Sequence, residues 1–234
     1  MTILAIETAT TTCGVALLRD DDVIAQSHLY RPRVHSRLLT PLVEDVLDRA
    51  DIEEGTLDAV AVSRGPGSYT GLRIGVSTAK GWALATGARL VGVPTLAAYA
   101  AQLRPVAAPT DVICALLDAR RDEVYAGAYR RTDDMITEHA PTKALPVEAL
   151  PDWLGTVPGR LWVIGDGGEK SRTALATIDA LQTIVPPDEL SPSAGWVARC
   201  GRHRLATEGA NDVNTFEPFY VKDVHATPAP SPFA

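Results

Sequence analysis

The chain is short of several residue types, and each shortage excludes something. Only three cysteines occur in 234 residues, Cys13, Cys114 and Cys200, and they lie far apart. Such spacing offers neither a disulfide framework nor a zinc cluster; it reads as reduced, buried thiols of a cytoplasmic protein. No apolar run reaches the roughly 18 residues that a membrane span requires. The opening residues form an apolar strand without a basic lead-in, so no signal peptide and no membrane partner are expected. Positive charge is scarce too: 22 Lys and Arg face 29 Asp and Glu, a net charge of −7. That balance argues against the chain gripping nucleic acid unaided, because a phosphate backbone needs concentrated Lys and Arg. The local clusters Arg31, Arg33, Arg37 and Arg199, Arg202, Arg204 read as solvated surface. The five histidines, at 28, 35, 139, 203 and 225, include no pair with ligand spacing, so no metal site is expected. No short repeat is present.

What the chain does have is an alternation typical of an α/β protein. Hydrophobic residues make up 46 % and charged residues 22 %, which is ordinary for a globular chain. Thr2 to Ile6, Gly14 to Leu18 and Val23 to His28 read as three strands, with Asp20-Asp21-Asp22 as a polar turn between the last two. A helix is expected from an N-cap at Ser36, with Leu38, Leu39, Leu42, Val43, Val46, Leu47 and Ala50 in two adjacent rows. That stripe is wider than one contact face needs. Asp58 to Ser63 reads as a strand, Arg89 to Val93 as another, and Pro94 to Leu103 as a short helix. The Pro- and Ala-rich stretch 105–110 is the candidate hinge, dividing the chain into lobes at 1–107 and 108–234. Beyond it, Asp111 to Leu117 and Glu123 to Arg130 form a hairpin around the polar turn Asp118 to Asp122. Leu161 to Ile164 is a strand, followed by helices from about Lys170 and from Ser193 to Ala206. The tail from Pro218 reads as loosely ordered.

The most informative segment joins the strand at 58–63 to the helix after it: Ser63-Arg64-Gly65-Pro66-Gly67-Ser68-Tyr69-Thr70-Gly71-Leu72-Arg73-Ile74-Gly75. A glycine-rich turn between strand and helix aims backbone N–H groups where an anion is welcome. Gly65, Gly67, Ser68 and Gly71 are therefore the candidate nucleotide-loop residues. Yet the third glycine falls one place late for the dinucleotide pattern, and no P-loop lysine follows. The helix beyond carries Gly71, Gly75, Ala79, Ala83 and Gly87 at i, i+4. Glycine costs about 1 kcal/mol per helix-interior site relative to alanine, so this row reads as a place where another backbone comes close. Two partners remain open for it: the protein's own sheet, or a helix of another subunit.

These residues carry a resemblance. Ile3 to Thr8, Gly65 to Gly75, Ala79-Lys80-Gly81 and Asp118 to Tyr125 together resemble the TsaB (YeaZ) family, a partner subunit in making threonylcarbamoyladenosine (t6A) in tRNA. Gly165-Asp166-Gly167 and Glu217 to Lys222 extend the likeness more thinly. The resemblance implies an actin-like (ASKHA, RNase H-like) fold of two lobes with mixed sheets, the second lobe reduced. It implies a non-catalytic scaffold or activator required for threonylcarbamoyl transfer to adenosine 37, working as a heterodimer with a TsaD-like transferase. A TsaE-like ATPase would join in a larger complex, a homodimer would use the same face in isolation, and tRNA would be met only through the complex. The catalytic relative resembles G-V-N-H-x-x-G-H where this chain reads Gly92 to Tyr99, so Thr95 and Tyr99 stand in place of its metal-binding histidines. Thr10-Thr11-Thr12 stands in place of acidic residues.

No catalytic residue and no required cofactor are therefore expected; the glycine loop is read as vestigial, with weak ATP or ADP binding at most. The expected interface comprises Leu38, Leu39, Leu42, Val43 and Val46 of the first helix with Gly71, Gly75, Ala79 and Trp82 of the second. Two rival readings stay open: an autonomous ATP-dependent transferase or kinase, and a glycoprotease-like peptidase using Ser68. The second lacks the glycine at 66 that a nucleophile elbow needs.

Overall fold

The computed structural model describes residues 1–186 and 189–222. Two five-stranded sheets carry the fold. In the first, β1 (Thr2–Glu7), β2 (Thr12–Arg19) and β3 (Asp22–Tyr30) form an antiparallel meander. The strands β4 (Ala59–Gly65) and β5 (Arg89–Pro94) add in parallel on the far side of β1, giving the order β3-β2-β1-β4-β5. The second sheet repeats this plan. Here β6 (Val112–Asp118), β7 (Glu123–Arg131) and β8 (Ile136–Pro146) make the meander, and β9 (Leu161–Ile164) and β10 (Leu181–Val185) extend it in parallel. Parallel extension requires crossovers, and crossovers put helices on the faces. That is why β1, β4 and β6 are nearly continuous apolar runs, buried on both sides.

The helices complete five layers. On the outer face of the first sheet lie α1 (His35–Arg49) and α2 (Tyr69–Thr86), over Leu4, Ile6, Val15, Leu17, Val60 and Val62. On its inner face, Ala98 and Ala101 of α3 (Thr95–Ala101) meet Val197, Ala198 and Cys200 of α6 (Ala194–Thr207). The other side of α3, with Leu96, Tyr99 and Ala100, packs on the second sheet. Its far face is covered by α4 (Leu150–Leu154) and α5 (Arg172–Leu175). The reduction of the second lobe thus lies in its helices: its sheet keeps all five strands, while α4 and α5 have 5 and 4 residues against 15 and 18 in α1 and α2.

Local chemistry explains the departures from expectation. The helix α1 begins one residue before Ser36, with Val34 at the cap and no side chain capping it; the carbonyl of Val34 takes the N–H groups of Arg37 and Leu38. The helix expected from Lys170 closes after one turn, as Thr177 and Ile178 bond three residues back to Ala174 and Leu175. The 105–110 stretch lies between α3 and β6, but α6 returns from beyond it to the first sheet. Residues 218–222, expected to be loose, are packed as described below; the rest of the tail lies outside the described residues.

Candidate functional site

The glycine loop sits where β1, β4 and α3 converge, and three of its N–H groups are hydrogen-bonded within the chain. The Gly65 N–H bonds Thr95 Oγ1 at 3.1 Å, the Ser68 N–H bonds the Ala9 carbonyl at 2.6 Å, and the Gly71 N–H bonds Ser68 Oγ at 3.3 Å. Ser68 is thus the N-cap of α2 rather than a free hydroxyl. The glycines serve close approach to this chain's own backbone. A Cβ on Gly65, whose φ is +125°, would lie 2.1 Å from the Phe219 carbonyl oxygen, and one on Gly75 would lie 2.0 Å from Thr8 Oγ1. Gly67 and Gly71 press likewise on the carbonyls of Ala9 and Thr8.

Beneath the loop is a buried polar knot. Glu7 closes β1 and is 1 % exposed. It accepts from the Ala9 N–H at 2.7 Å and from the Ser63 hydroxyl. Burial pushes its carboxyl up to about 7, although those two hydrogen bonds pull the other way. Thr8 Oγ1 is buried without a hydrogen-bond partner among the described residues. The two positions that replace the metal-binding histidines are committed here as well. Thr95 accepts from Gly65, and Tyr99 is 3 % exposed with its phenol pushed up by burial and by the nearby Glu7 charge. A hydroxyl already holding a backbone N–H and a buried, protonated phenol do not fit a divalent metal. In the second lobe, the Asp118–Arg121 segment is a hairpin turn with Arg120 and Arg121 at φ +65° and +52°. Burial opposes ionisation of Asp118, but the Lys170 ammonium and the Arg120 N–H hold its carboxyl below the usual range.

A strap, residues 211–222, runs over the loop from one lobe to the other. Asn211 joins β5 through Leu90 and Gly92, and the ring of Phe216 lies on Gly92. The Phe219 N–H bonds the Arg64 carbonyl at 2.6 Å, and Tyr220 packs against Tyr69 with ring centroids 5.1 Å apart. Lys222 then reaches the second lobe, donating to the Ala119 carbonyl at 3.2 Å and pairing with Glu123 at 2.5 Å. Lys80, a conceivable phosphate contact from sequence, donates to the carbonyls of Asn214 and Phe216 instead. The sequence alone does not place Glu217 to Lys222 on the loop, and the only sign of Glu7's role in it is an acid closing an apolar strand.

The expected interface residues separate into two groups. Leu39, Leu42, Val43 and Val46 are 1, 8, 0 and 2 % exposed and belong to the core under α1 and α2. Gly71, Gly75 and Ala79 are buried against the β1 end and its core. The small-residue row of α2 therefore serves the protein's own sheet, which corrects the assignment of those positions to another subunit. Leu38 and Trp82 are partly exposed. The face of α2 turned outward carries a second small row at the same spacing: Ser77, Gly81 and Ala85, all exposed. Among the described residues nothing lies within 4 Å of a Cβ built on Gly81, and Leu84 beside it is 64 % exposed.

Two sheets of the same strand order, facing across a shared helix with a glycine loop at the junction, define an actin-like protein of the ASKHA class. A family model described as TsaD, tRNA N6-adenosine threonylcarbamoyltransferase, matches residues 30–153. The tRNA threonylcarbamoyladenosine biosynthesis protein TsaB of Escherichia coli is 38 % identical over 168 residues, 71 % of this chain and 72 % of that protein. The protein of the same name from Bacillus subtilis is 38 % identical over 66 % of this chain and 65 % of its own length, so the match spans just under two thirds of it. The solved structure of YeaZ from Pseudomonas aeruginosa superposes with a TM-score of 0.78 at 27 % identity, covering 94 % of this chain and all of that one. The chain belongs to the TsaB (YeaZ) family.

Proposed function

We propose that this protein serves t6A formation in tRNA as a non-catalytic subunit that docks on a TsaD-like transferase through the outer faces of α1 and α2. The observation that carries the reading is the outward row Ser77, Gly81 and Ala85. An exposed helix-interior glycine costs about 1 kcal/mol relative to alanine, and no atom of the described residues requires Gly81 to lack a side chain. A second helix packed across that row would. Leu38, Ile74, Trp82 and Leu84 supply apolar surface around it. A homodimer would use the same face when the transferase is absent, and a TsaE-like ATPase would join the larger assembly in the cytoplasm.

The absence of chemistry in this reading is supported by the loop and its surroundings. Three loop N–H groups are already hydrogen-bonded within the chain and the Phe219 carbonyl presses on Gly65, an arrangement that does not fit a nucleotide phosphate. At most, weak ATP or ADP binding would remain. Ser68 acting as a helix cap speaks against the peptidase reading.

The test is co-purification with the transferase and reconstituted tRNA modification, using Gly81→Glu and Leu84→Asp. Both variants are expected to keep the wild-type melting temperature within a few degrees and to lose complex formation and stimulation of modification together. Wild-type affinity in both would overturn the placement, and ATP turnover by the purified chain would overturn the non-catalytic role.

A further inference from the structure

A groove of about 840 Å³ opens away from the glycine loop, between α6, the start of β1, the β2–β3 turn and the end of α3. In a chain of net charge −7, it is lined by Arg89, Arg104, Arg199 and Arg202 against only Asp21 and Asp134. Among the described residues, only Arg202 has a carboxylate partner there, Asp21. The other guanidinium groups are anchored on backbone carbonyls: Arg199 on Asp21 at 2.5 Å, Arg89 on Asp58 at 3.3 Å, and Arg104 on Asp133. A carbonyl fixes a guanidinium without neutralising it. Arg104 Nε is also buried without a partner. The Arg199 guanidinium lies 5.8 Å from the centre of the Trp196 ring, and that indole lines the same groove.

We propose that this groove binds the phosphodiester backbone of RNA, with Trp196 as a stacking surface for an unpaired base. Planar, pre-positioned guanidinium groups suit phosphate oxygens better than flexible ammonium groups do. An aromatic face interleaved with them is the arrangement that single-stranded nucleic acid uses; an acidic peptide would need the arginines but not the indole. The groove is far larger than one phosphate requires. Its RNA assignment rests on the function proposed above, and it refines that proposal by giving this chain a direct contact with the tRNA.

The experiment uses the isolated full-length chain and a fluorescein-labelled, unmodified tRNA transcript, with anisotropy titrations from about 50 to 200 mM salt. The double variant Arg89→Gln, Arg199→Gln is expected to lower the magnitude of the slope of log K against log salt by roughly 1.5 to 2, as loss of two phosphate contacts requires. Arg172→Gln, on the outer layer of the second lobe where Arg172 pairs with Glu169, is expected to bind the transcript as wild type does. Because no transferase is present, this outcome is separable from the docking test. An unchanged slope in the double variant, no binding by wild type at the lowest salt, or equal competition by poly-glutamate at matched charge would each overturn the assignment.

Discussion

Replacing Glu7 by glutamine should remove a pH dependence that the wild-type fold carries. Burial raises this carboxyl from 4.5 to about 7. For an acid, that shift means the folded state holds a proton that the unfolded chain has already released. Stability is therefore complete below about pH 4.5 and is lost progressively as pH rises through 7. At about 1.4 kcal/mol per pH unit, the loss between pH 5 and pH 8 comes to roughly 2 to 3 kcal/mol. Glutamine keeps an acceptor for the Ala9 N–H and a partner for the Ser63 hydroxyl, and it stays neutral throughout. The variant should match or trail the wild type at pH 5 and exceed it at pH 8. For a chain of this size the crossover amounts to about 5 to 10 °C in melting temperature. Circular dichroism melts of both proteins at pH 5, 6, 7 and 8, at matched ionic strength, measure it. Parallel curves for the two proteins across that range would refute the claim that Glu7 is the titrating group.

Two further predictions concern glycine and the second lobe. Gly75→Ala places a methyl 2.0 Å from Thr8 Oγ1 and should destabilise by about 1–3 kcal/mol, whereas Gly81→Ala meets no atom of the described residues and should stabilise by about 0.5–1 kcal/mol; paired urea titrations decide between them. Asp111 is 2 % exposed and accepts from the Arg160 and Ala108 N–H groups, the Arg160 guanidinium and the Trp162 indole. Burial opposes its charge, but these donors hold the carboxyl well below the usual range. Asp111→Asn should cost about 1–3 kcal/mol at pH 7, most of it from the buried donors because Arg160 itself is half exposed. That deficit should shrink as pH falls below about 4, where the wild-type carboxylate begins to lose its own advantage.

The elements buried on both faces were legible. Strands β1, β4, β6 and β9 appear as nearly uninterrupted apolar runs, and their observed ends differ from the expected ones by at most two residues. The strand β8 was missed because it is a sheet edge: most of its residues are exposed or half-buried, and Pro141 sits within it. The small-residue row of α2 was seen, but helical spacing says only that such residues share a face, not what lies against it. Placing Gly75 on Thr8 depends on the β1–β2 turn, sixty-odd positions earlier in sequence. The strap was hidden for the same reason. Most of its hydrogen bonds run to backbone carbonyls, and its rings meet Gly92 and Tyr69, partners far away in sequence.

The first lobe is closed by segments synthesised well after its own sheet. Its inner face is covered by α6, which begins at Ala194, and its glycine loop by residues near Phe219. At typical rates of 5–20 residues per second, the sheet that ends at Pro94 would wait on the order of ten seconds for its cover. Through that interval Ile3, Ala5, Ala61 and Val91 lack their α6 neighbours Val197, Ala198 and Cys200, and α3 alone lies on that face. A copy truncated before α6 would be left in that unfinished state.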